Sequence, residues 1–559
     1  MKRYSKAFEA FQTMRSKLKQ SSDPLFRGAP FQRCRADQHI DLILIIELFH
    51  QYVDATYPIR EVVEETIRHM PRVLIDTTTG RLYDKTRQAE AFEELPIFDE
   101  LRSSMTTGLD CERIEKEVKG FYQYVILSHK WQASEPTFQM VEDTSVYSLP
   151  TSPKNGKLQR FCELVRSLDF QWAWSDTCCV NQLDKGVQQE SLVAMFRWYR
   201  GSALTIVHLL GVLSEFQEPG DLWRSIWNTR AWTYQEYVAA KVVQFYTEDW
   251  KPYLGLTMFN HKESILILSE MERATRFATQ ELAALRPGLD RAREKLFLAS
   301  KRQSTREEDI AYSLLGIFNA SIPVIYGEGN RAVGRLLEYV LAGLGDVTLL
   351  AWTGRAGDYN SCLPPNLTVY DQLMPLHVPQ PIEAAELDGI IVALRSSLPD
   401  LSLAVALHDH LHKLPLPSFL ASRLGLPGVV FPVTHLNTTE PDLETDICVY
   451  HTMTSALGEV EIKTADDSSG MNDLVLVHPW ISPVLDQEFS HGAAALDQMT
   501  RSLRLVARLR QPFGALLLAP VSRTQYRRVA ADCLIMTRIR EETSLTELID
   551  GIRVTVDIQ

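Results

Sequence analysis

Two short apolar runs in this 559-residue chain end on polar side chains that could bind a small ligand. The first run, Tyr124–Leu127, continues into Ser128-His-Lys-Trp131, and the second, Trp172–Trp174, continues into Asp176 and an Asn181-Gln182 turn. Parallel strands in α/β proteins bind ligands at the edge where their carboxyl ends meet. The candidate ligand-binding residues are therefore Ser128, His129, Trp131, Trp174, Asp176, Asn181 and Gln182.

Each of these side chains also has a structural interpretation. Asp176 could cap the turn that follows its strand instead of touching a ligand. Asn181 and Gln182 suit a turn, although Gln182 could also anchor a ribose or an amide group. His129 could be a hydrogen-bonded structural histidine, and the tryptophans could belong to the core. The residue types alone leave these alternatives open.

Two other clusters could carry different chemistry. Cys178 and Cys179 with His129 would supply a cysteine nucleophile, but a cysteine pair inside an apolar strand is ordinarily unreactive core. The run His408–His412 alternates histidines as a strand face presenting metal ligands would. It has no further cysteine or acidic partner, so a polar surface run is the preferred interpretation and no metal site is predicted.

The elements that must position these residues are an alternation of strands and helices. Helical stripes of apolar residues separate the strands, which implies βαβ units and a parallel sheet. Strands are predicted at 124–127, 172–174, 203–207 and 242–245. A strand and hairpin with Gly80 in the turn is predicted at 73–83, and the Tyr326–Gly329 segment is predicted as a turn between helices. Cys178 and Cys179 are expected to continue the 172–174 strand.

Beyond residue 346 the pattern changes to short β-rich runs separated by Pro, Asp and Asn turns. These runs predict a separate β-rich or α+β domain. They are Gly428–Val433, Ile447–Tyr450, Glu459–Ile462, Leu474–Val477 and Leu516–Leu518.

Several segments together resemble the fungal heterokaryon-incompatibility (HET) domain, in its order and spacing. They are Tyr124-Val-Ile-Leu-Ser-His-Lys-Trp131, Trp174-Ser-Asp-Thr-Cys-Cys-Val-Asn-Gln182, Met195-Phe-Arg-Trp-Tyr199 and Arg230-Ala-Trp-Thr-Tyr-Gln-Glu236. Ala299-Ser-Lys-Arg302, Glu308–Phe318 and Ile325–Gly329 resemble the segment that follows the domain in many members, so the resemblance spans roughly 73–345. The chain departs from the usual pattern at His129 (commonly Tyr), Gln132 (Gly) and Ser175 (Ile).

The resemblance implies a TIR-like fold and a candidate catalytic residue. Enzymatic TIR domains cleave NAD with a glutamate placed four residues after a tryptophan, and Trp232 and Glu236 have that offset. Cleavage of the N-glycosidic bond builds positive charge on the ribose, which a carboxylate can stabilise. The resemblance thus assigns catalysis to Glu236 and adds Arg230 and Trp232 to the substrate-binding residues. The structural alternative is that Glu236 pairs with Arg230 or Lys241.

The predicted architecture is α/β: a TIR-like or flavodoxin-like parallel sheet flanked by helices, a helical extension, and a C-terminal β-rich or α+β domain. The predicted domains are an N-terminal helical region at 1–72, a HET domain at 73–260 with its TIR-like core at about 120–260, a helical extension at 261–345, a linker at 346–374 and a C-terminal domain of unknown role at 375–559. Residues 1–20 suggest a basic amphipathic helix, packed on its own protein or docked on a membrane or partner.

The bulk composition excludes several classes of protein. A net charge of −13 argues against a nucleic-acid binder. The eight cysteines form neither a disulfide framework nor a zinc pattern. We therefore expect a reducing, cytoplasmic location, and no apolar run approaches the length of a membrane span.

The function that follows from the resemblance is incompatibility or innate-immune signalling that triggers regulated cell death. One hypothesis is that self-associated HET domains hydrolyse NAD, which would be a substrate and not a resident cofactor. The alternative is a non-enzymatic scaffold that self-associates and recruits a partner incompatibility protein. A third hypothesis is a metabolic role in which the C-terminal domain binds a small ligand.

Overall fold

The computed structural model describes residues 56–104, 110–150, 152–372, 384–438, 448–464, 473–480 and 497–559. The predicted helix at 1–20 lies outside these residues. Contacts between backbones divide the chain into two compact units: the first comprises 1–227 and 239–270, and the second comprises 228–238 and 271–559. The predicted domain bounds do not coincide with this division, because residues 228–238 of the predicted HET domain belong to the second unit, and the bounds stay a prediction.

The first unit is an alternation of strands and helices, as the apolar runs predict. Its strands are β1 (Leu74–Asp76), β2 (Leu82–Tyr83), β3 (Tyr124–His129), β4 (Trp172–Trp174), β5 (Leu204–Leu209) and β6 (Val243–Thr247). Its helices up to the end of β5 are α1 (Tyr57–Arg68), α2 (Lys85–Glu93), α3 (Pro96–Ser104), α4 (Cys111–Phe121), α5 (Phe138–Val141), α6 (Pro153–Ser167), α7 (Asp176–Cys179) and α8 (Lys185–Gly201). Between β5 and β6 the chain forms α9 (Asp221–Arg224), α10 (Ile226–Thr229) and α11 (Ala231–Ala239).

The six strands form one sheet in the order β2-β1-β4-β3-β5-β6. The pairs β4–β3, β3–β5 and β5–β6 are parallel, whereas β1 pairs antiparallel with both β2 and β4. The four parallel strands therefore follow the 2-1-3-4 order of flavodoxin-like sheets. Every residue of β3, β5 and β6 is buried, which explains why these strands read as continuous apolar runs with few polar residues.

The predicted hairpin is confirmed and caps one edge of this sheet. Gly80 has φ +70° and donates its N–H to the Asp76 carbonyl at 2.7 Å. A Cβ at position 80 would lie 2.5 Å from the Ser145 hydroxyl, so both the backbone conformation and the local packing require glycine.

The second unit begins with helices and ends with strands. Its helices are α12 (Ile265–Thr275, which starts in the first unit), α13 (Thr279–Ala284), α14 (Ala292–Ala299), α15 (Asp309–Tyr312), α16 (Leu315–Phe318), α17 (Arg331–Leu344), α18 (Ala384–Ser397), α19 (Leu401–His412), α20 (Gln498–Leu509) and α21 (Leu545–Gly551). Its strands are β7 (Ser418–Leu420), β8 (Arg423–Pro432), β9 (His435–Thr438), β10 (Cys448–Met453), β11 (Val460–Thr464), β12 (Val475–Pro479), β13 (Phe513–Pro520), β14 (Gln525–Arg528), β15 (Ile535–Thr537) and β16 (Ile552–Ile558).

Five of these strands close into a ring of pairings. The order is β12-β13-β14-β16-β8, and β8 pairs back to β12. Only the β14–β16 pair is parallel. Strands β9, β10 and β11 form a separate antiparallel sheet, and α18 to α21 share a core with both sets of strands. The α+β prediction for this region is confirmed.

The segment predicted as a linker is packed against these strands. The Asn360 amide donates hydrogen bonds to the carbonyls of Ser422 and Ile558. The Arg528 guanidinium lies 4.0 Å from the Trp352 ring centroid and donates to the Trp352 carbonyl. Among the described residues, no helix has the length and apolar character needed to cross a membrane.

Candidate functional site

The candidate site lies where the order of the parallel strands reverses. From β3 the chain passes to β4, which lies on one side of β3, and from β4 it passes to β5, which lies on the other side. The switch point, where the strand order reverses, therefore lies between β3 and β5. At the carboxyl ends of these strands His129 is in register with His208. Open α/β sheets bind their ligands at this position. Ser128 and His129, two of the predicted residues, therefore lie where the fold favours a site.

A buried charge cluster underlies this edge. Glu135 Oε2 lies 3.0 Å from His129 Nε2, and Glu135 Oε1 accepts hydrogen bonds from the Gln132 N–H and the Lys157 ammonium. Lys157 also donates to the Lys130 carbonyl at 3.3 Å. His129, Glu135 and Lys157 are each less than 10% exposed, so their charges interact with little screening by water.

The protonation of this cluster follows from its contacts. Burial by itself raises the pKa of Glu135, but the hydrogen bonds and positive charges of His129 and Lys157 outweigh burial and hold the pKa at about 2. Glu135 is therefore ionised at neutral pH. Burial lowers the pKa of the nearby His208 to about 4, so that imidazole is neutral. Its Nε2 lies 3.1 Å from the Glu248 carbonyl, where it can donate.

Trp131 and Asp176 form the exposed part of the edge. The indole N–H of Trp131 donates to Asp176 Oδ2 at 2.7 Å, and Asp176 Oδ1 lies 4.0 Å from His129 Nε2. The hydrogen bond restrains the orientation of the Trp131 ring, and the residue is 42% exposed to solvent. Such a ring can stack on a planar aromatic ligand. Asp176 is the first residue of α7, but the N-cap residue of this turn is Ser175 and no side-chain hydrogen bond caps it, so the structure shows no capping role for Asp176.

The remaining predicted residues of the first unit have structural contacts. Trp174 is 1% exposed and packs edge-to-face against Trp198 and Tyr199. Asn181 Oδ1 accepts hydrogen bonds from the Leu183 N–H and the Gln139 amide, which fixes the turn. Gln182 bridges two helices, because its amide donates to the Asp176 carbonyl at 3.5 Å and accepts from Gln188. Trp174 thus supports the edge from the core, and the two amides shape its rim.

Ser128 is also engaged by a neighbouring side chain. Its hydroxyl accepts a hydrogen bond from the Trp227 indole at 2.8 Å, and the residue is 1% exposed. Ser128 therefore fixes the end of β3 and is not an exposed hydroxyl at the rim.

The prediction that the cysteine pair continues the strand is wrong. Strand β4 ends at Trp174, and Cys178 and Cys179 lie in the helical turn α7, where the Cys179 N–H donates to the Ser175 carbonyl at 2.9 Å. A hydrogen bond with Cys179, together with burial, raises the pKa of the Cys178 thiol well above its usual value. Cys178 is therefore a protonated, unreactive thiol.

The histidine run His408–His412 lies on helix α19, so its alternation does not form the strand face of metal ligands that was weighed as the alternative to a polar surface run. The rings of His408 and His412 stack with centroids 5.6 Å apart, and His410 lies against the Ala406 carbonyl. Within the parts of the chain that the structure describes, no three His, Cys, Asp or Glu side chains are grouped closely enough to hold a metal ion.

Arg230, Trp232 and Glu236 belong to the second unit. Helix α11 carries Trp232 and Glu236 and follows Arg230 directly. Glu236 is 6% exposed. The Arg230 carbonyl accepts from the Arg302 guanidinium at 3.0 Å, and the Trp232 side chain hydrogen-bonds to Asp309. These contacts join Arg230 to Arg302 and Trp232 to Asp309.

The sequence reasoning missed Glu135 and Lys157. Glu135 lies in a segment rich in Ser, Thr and Pro that reads as an ordinary loop. Lys157 carried a usable signal, because it lies four residues before Phe161 on the apolar stripe of α6. A lysine on a buried stripe needs a buried acceptor or anion nearby.

The first unit is a parallel α/β sheet flanked by helices with polar residues at one edge, and comparison with known proteins finds a family that part of it matches. Residues 124–220 match the family model described as heterokaryon incompatibility protein (HET). These residues are therefore similar to the HET domain, which confirms the predicted resemblance.

One relative is the vegetative incompatibility protein HET-E-1 of Podospora anserina. It is 34% identical over an alignment of 234 positions that covers 39% of this chain and 16% of the relative. The chain thus spans about a sixth of that protein's length. No solved structure matches the chain, and the TIR-like assignment stays a prediction.

Proposed function

We propose that this protein acts in the cytoplasm in incompatibility signalling that ends in regulated cell death, and that it hydrolyses NAD with Glu236 as the catalytic carboxylate. The observation that supports the signalling role is the similarity of the HET domain to a vegetative incompatibility protein. The observation that supports a nucleotide ligand is the oriented, exposed Trp131 ring at the switch point of the parallel sheet.

The chemistry requires only one carboxylate. When the bond between the ribose anomeric carbon and the nicotinamide nitrogen breaks, its electron pair leaves with nicotinamide, which becomes neutral. Positive charge develops on the ribose, and ionised Glu236 stabilises that charge. Water then adds to the anomeric carbon and releases a proton, which gives ADP-ribose. No general acid is needed, since the leaving group is already cationic.

The edge residues would bind the rest of the substrate. Trp131 offers a stacking face for a planar ring. Asp176 fixes that ring through the indole N–H, and the ion pair of Glu135 and Lys157 keeps the loop after β3 in place. Self-association of HET domains would bring substrate-binding and catalytic groups together in the active assembly.

A non-enzymatic scaffold is the second candidate function. Leu213 and Phe216, in the loop after β5, are 45% and 70% exposed. Neighbouring exposed apolar side chains favour association with another protein surface. In this alternative the HET domain would self-associate and recruit a partner incompatibility protein without cutting NAD.

Nicotinamide release separates the two functions. Purified full-length protein at high concentration would be incubated with NAD and nicotinamide measured by chromatography. We expect release by the natural protein, a loss of at least about a hundredfold in Glu236→Gln, and no loss in Glu215→Gln, which alters an exposed glutamate in the same way. Cell death that persists in Glu236→Gln would contradict the enzymatic proposal and favour the scaffold.

A further inference from the structure

The start of helix α11 is joined to the chain after residue 299 by backbone hydrogen bonds. The Ala231 N–H donates to the Gln303 carbonyl at 2.8 Å, and the Gln303 N–H donates to the Thr229 carbonyl at 2.7 Å. Arg230 and Gln303 form a parallel bridge between these two bonds. The first turn of the helix that carries Glu236 is therefore anchored through residues that lie some seventy positions later in the sequence.

Arg302 strengthens this anchor with three side-chain contacts. Its guanidinium donates to the Arg230 carbonyl at 3.0 Å, to the Thr233 hydroxyl at 3.1 Å and to the Asn228 amide oxygen at 3.4 Å. The guanidinium also lies 5.2 Å from the Tyr234 ring centroid. One planar cation thus contacts both flanks of the helix start, which a lysine ammonium could not do.

The charge of Arg302 acts on Glu236. Burial lowers the pKa of Arg302 to about 10, and its interactions with Tyr234 and Glu236 oppose this lowering. The guanidinium is still charged at neutral pH. A neighbouring cation favours the ionised form of a carboxyl group.

A second set of hydrogen bonds contacts helix α11. Asp309 accepts hydrogen bonds from the side chains of Trp232 and Tyr326. Tyr326 opens the turn in which Gly327 and Gly329 donate their N–H groups to Glu308 at 2.7 and 3.2 Å. The motifs at 308–318 and 325–329 therefore form one hydrogen-bonded structure that contacts α11 through Trp232.

We propose that Arg302 is a positioning residue for Glu236: its contacts fix the start of α11, the helix that carries the Glu236 carboxylate. This inference rests on the proposed function for its catalytic part. Its structural part, the anchoring of α11 by Arg302, stands on contacts within the second unit.

Hydrogen exchange of the full-length protein tests the anchoring without any activity measurement. Arg302→Gln removes the guanidinium hydrogen bonds and the positive charge, and we expect amide exchange in residues 228–239 to rise at least about tenfold. Arg302→Lys keeps the positive charge but lacks the planar guanidinium, and it should give a smaller rise in amide exchange. Lys301→Gln removes a neighbouring exposed charge and should leave exchange unchanged. Unchanged protection in both Arg302 variants would overturn the anchoring.

The pH dependence of NAD hydrolysis tests the charge effect. In Arg302→Gln the acid limb of kcat/KM should move to higher pH, because Glu236 loses the cation with which it interacts. In Arg302→Lys the limb should stay in place, although the rate falls. A lower rate with an unmoved limb in Arg302→Gln would overturn the charge effect. If the natural protein releases no nicotinamide, the proposed function fails and the exchange result alone decides the role of Arg302.

Discussion

The buried ion pair beneath the sheet edge allows a quantitative prediction. Replacing Glu135 with Gln leaves Lys157 and His129 without their carboxylate while keeping the size of the side chain. The fall in the pKa of Glu135 from 4.5 to about 2 corresponds to about 3 kcal/mol of folding free energy at neutral pH. Removing one partner of a buried ion pair independently suggests about 3–5 kcal/mol.

The sign of the pH dependence follows from the lowered pKa. Above pH 4.5 the carboxylate is ionised in the folded and unfolded chains alike, so its full stabilisation is present. The stabilisation is lost as the pH falls from 4.5 to about 2, because the unfolded chain takes up the proton first. Glu135→Gln and the natural protein should therefore converge in stability at the acid end of this range.

Hydrogen exchange of strand β3 is the appropriate assay, since a chain of two units has no single unfolding free energy. At pH 7 we expect exchange in residues 124–129 to be about a hundredfold faster in Glu135→Gln, which corresponds to about 3 kcal/mol. The exposed Glu142→Gln on the neighbouring segment is the control and should have no effect. Adding Lys157→Met to Glu135→Gln should recover part of the loss. Exchange within threefold of the natural protein in Glu135→Gln would refute the reasoning.

Two further predictions concern a crowded glycine and the exposed tryptophan. Gly334→Ala in α17 should speed amide exchange in residues 331–344 by a factor that corresponds to about 1–3 kcal/mol of local stability, because its Cβ would lie 2.3 Å from Tyr359 Cβ. Gly156→Ala in α6, where no heavy atom lies within 4 Å, should instead be neutral or stabilising; similar effects in both would contradict the packing argument. Trp131→Ala should weaken NAD binding, measured by calorimetry, about five- to a hundredfold with little change in unfolding temperature. Leu183→Ala alters another exposed side chain and should leave NAD binding unchanged. Equal NAD affinities in the two variants would show that Trp131 is not part of the site.

The parallel sheet could be predicted because its strands are buried on all sides. Strands β3 to β6 are continuous apolar runs, so their existence and order along the chain follow from the sequence. The pairing of the β1–β2 hairpin onto β4 was not predicted, because no local pattern encodes which edge of a sheet an additional hairpin joins.

The two strand interpretations that the structure does not bear out have a common physical cause. At His408–His412 the alternating histidines suggest a period of two, but the buried residues of this helix are Ala404, Leu407 and Leu411, which have helical spacing. At Cys178 and Cys179 every residue of the turn except Asp176 is buried, so no period separates strand from helix. A short segment that is buried all round carries too little pattern to decide.

The residues at the edge of the candidate site could be predicted from the sequence, but the buried ion pair near them could not. Ser128, His129, Trp131 and Asp176 follow strands whose carboxyl ends must meet, so their proximity follows from the topology. The ion pair of Glu135 with Lys157 joins residues from a loop and a helix. No periodicity reports such a tertiary pairing, although a lysine on an apolar stripe signals that one is needed.

The path of the chain between the two units limits which segments can be exchanged by recombination between this gene and related genes. The chain leaves the first unit after Trp227, returns at Ala239 and leaves again after Glu270. A single genetic crossover between two related genes could fall between the codons for α11 and those for Arg302. The hybrid protein would then have α11 from one parent and Arg302 and Asp309 from the other. Functional hybrids should therefore inherit residues 228–238 and 299–329 from the same parent, and these two segments should vary together among homologues.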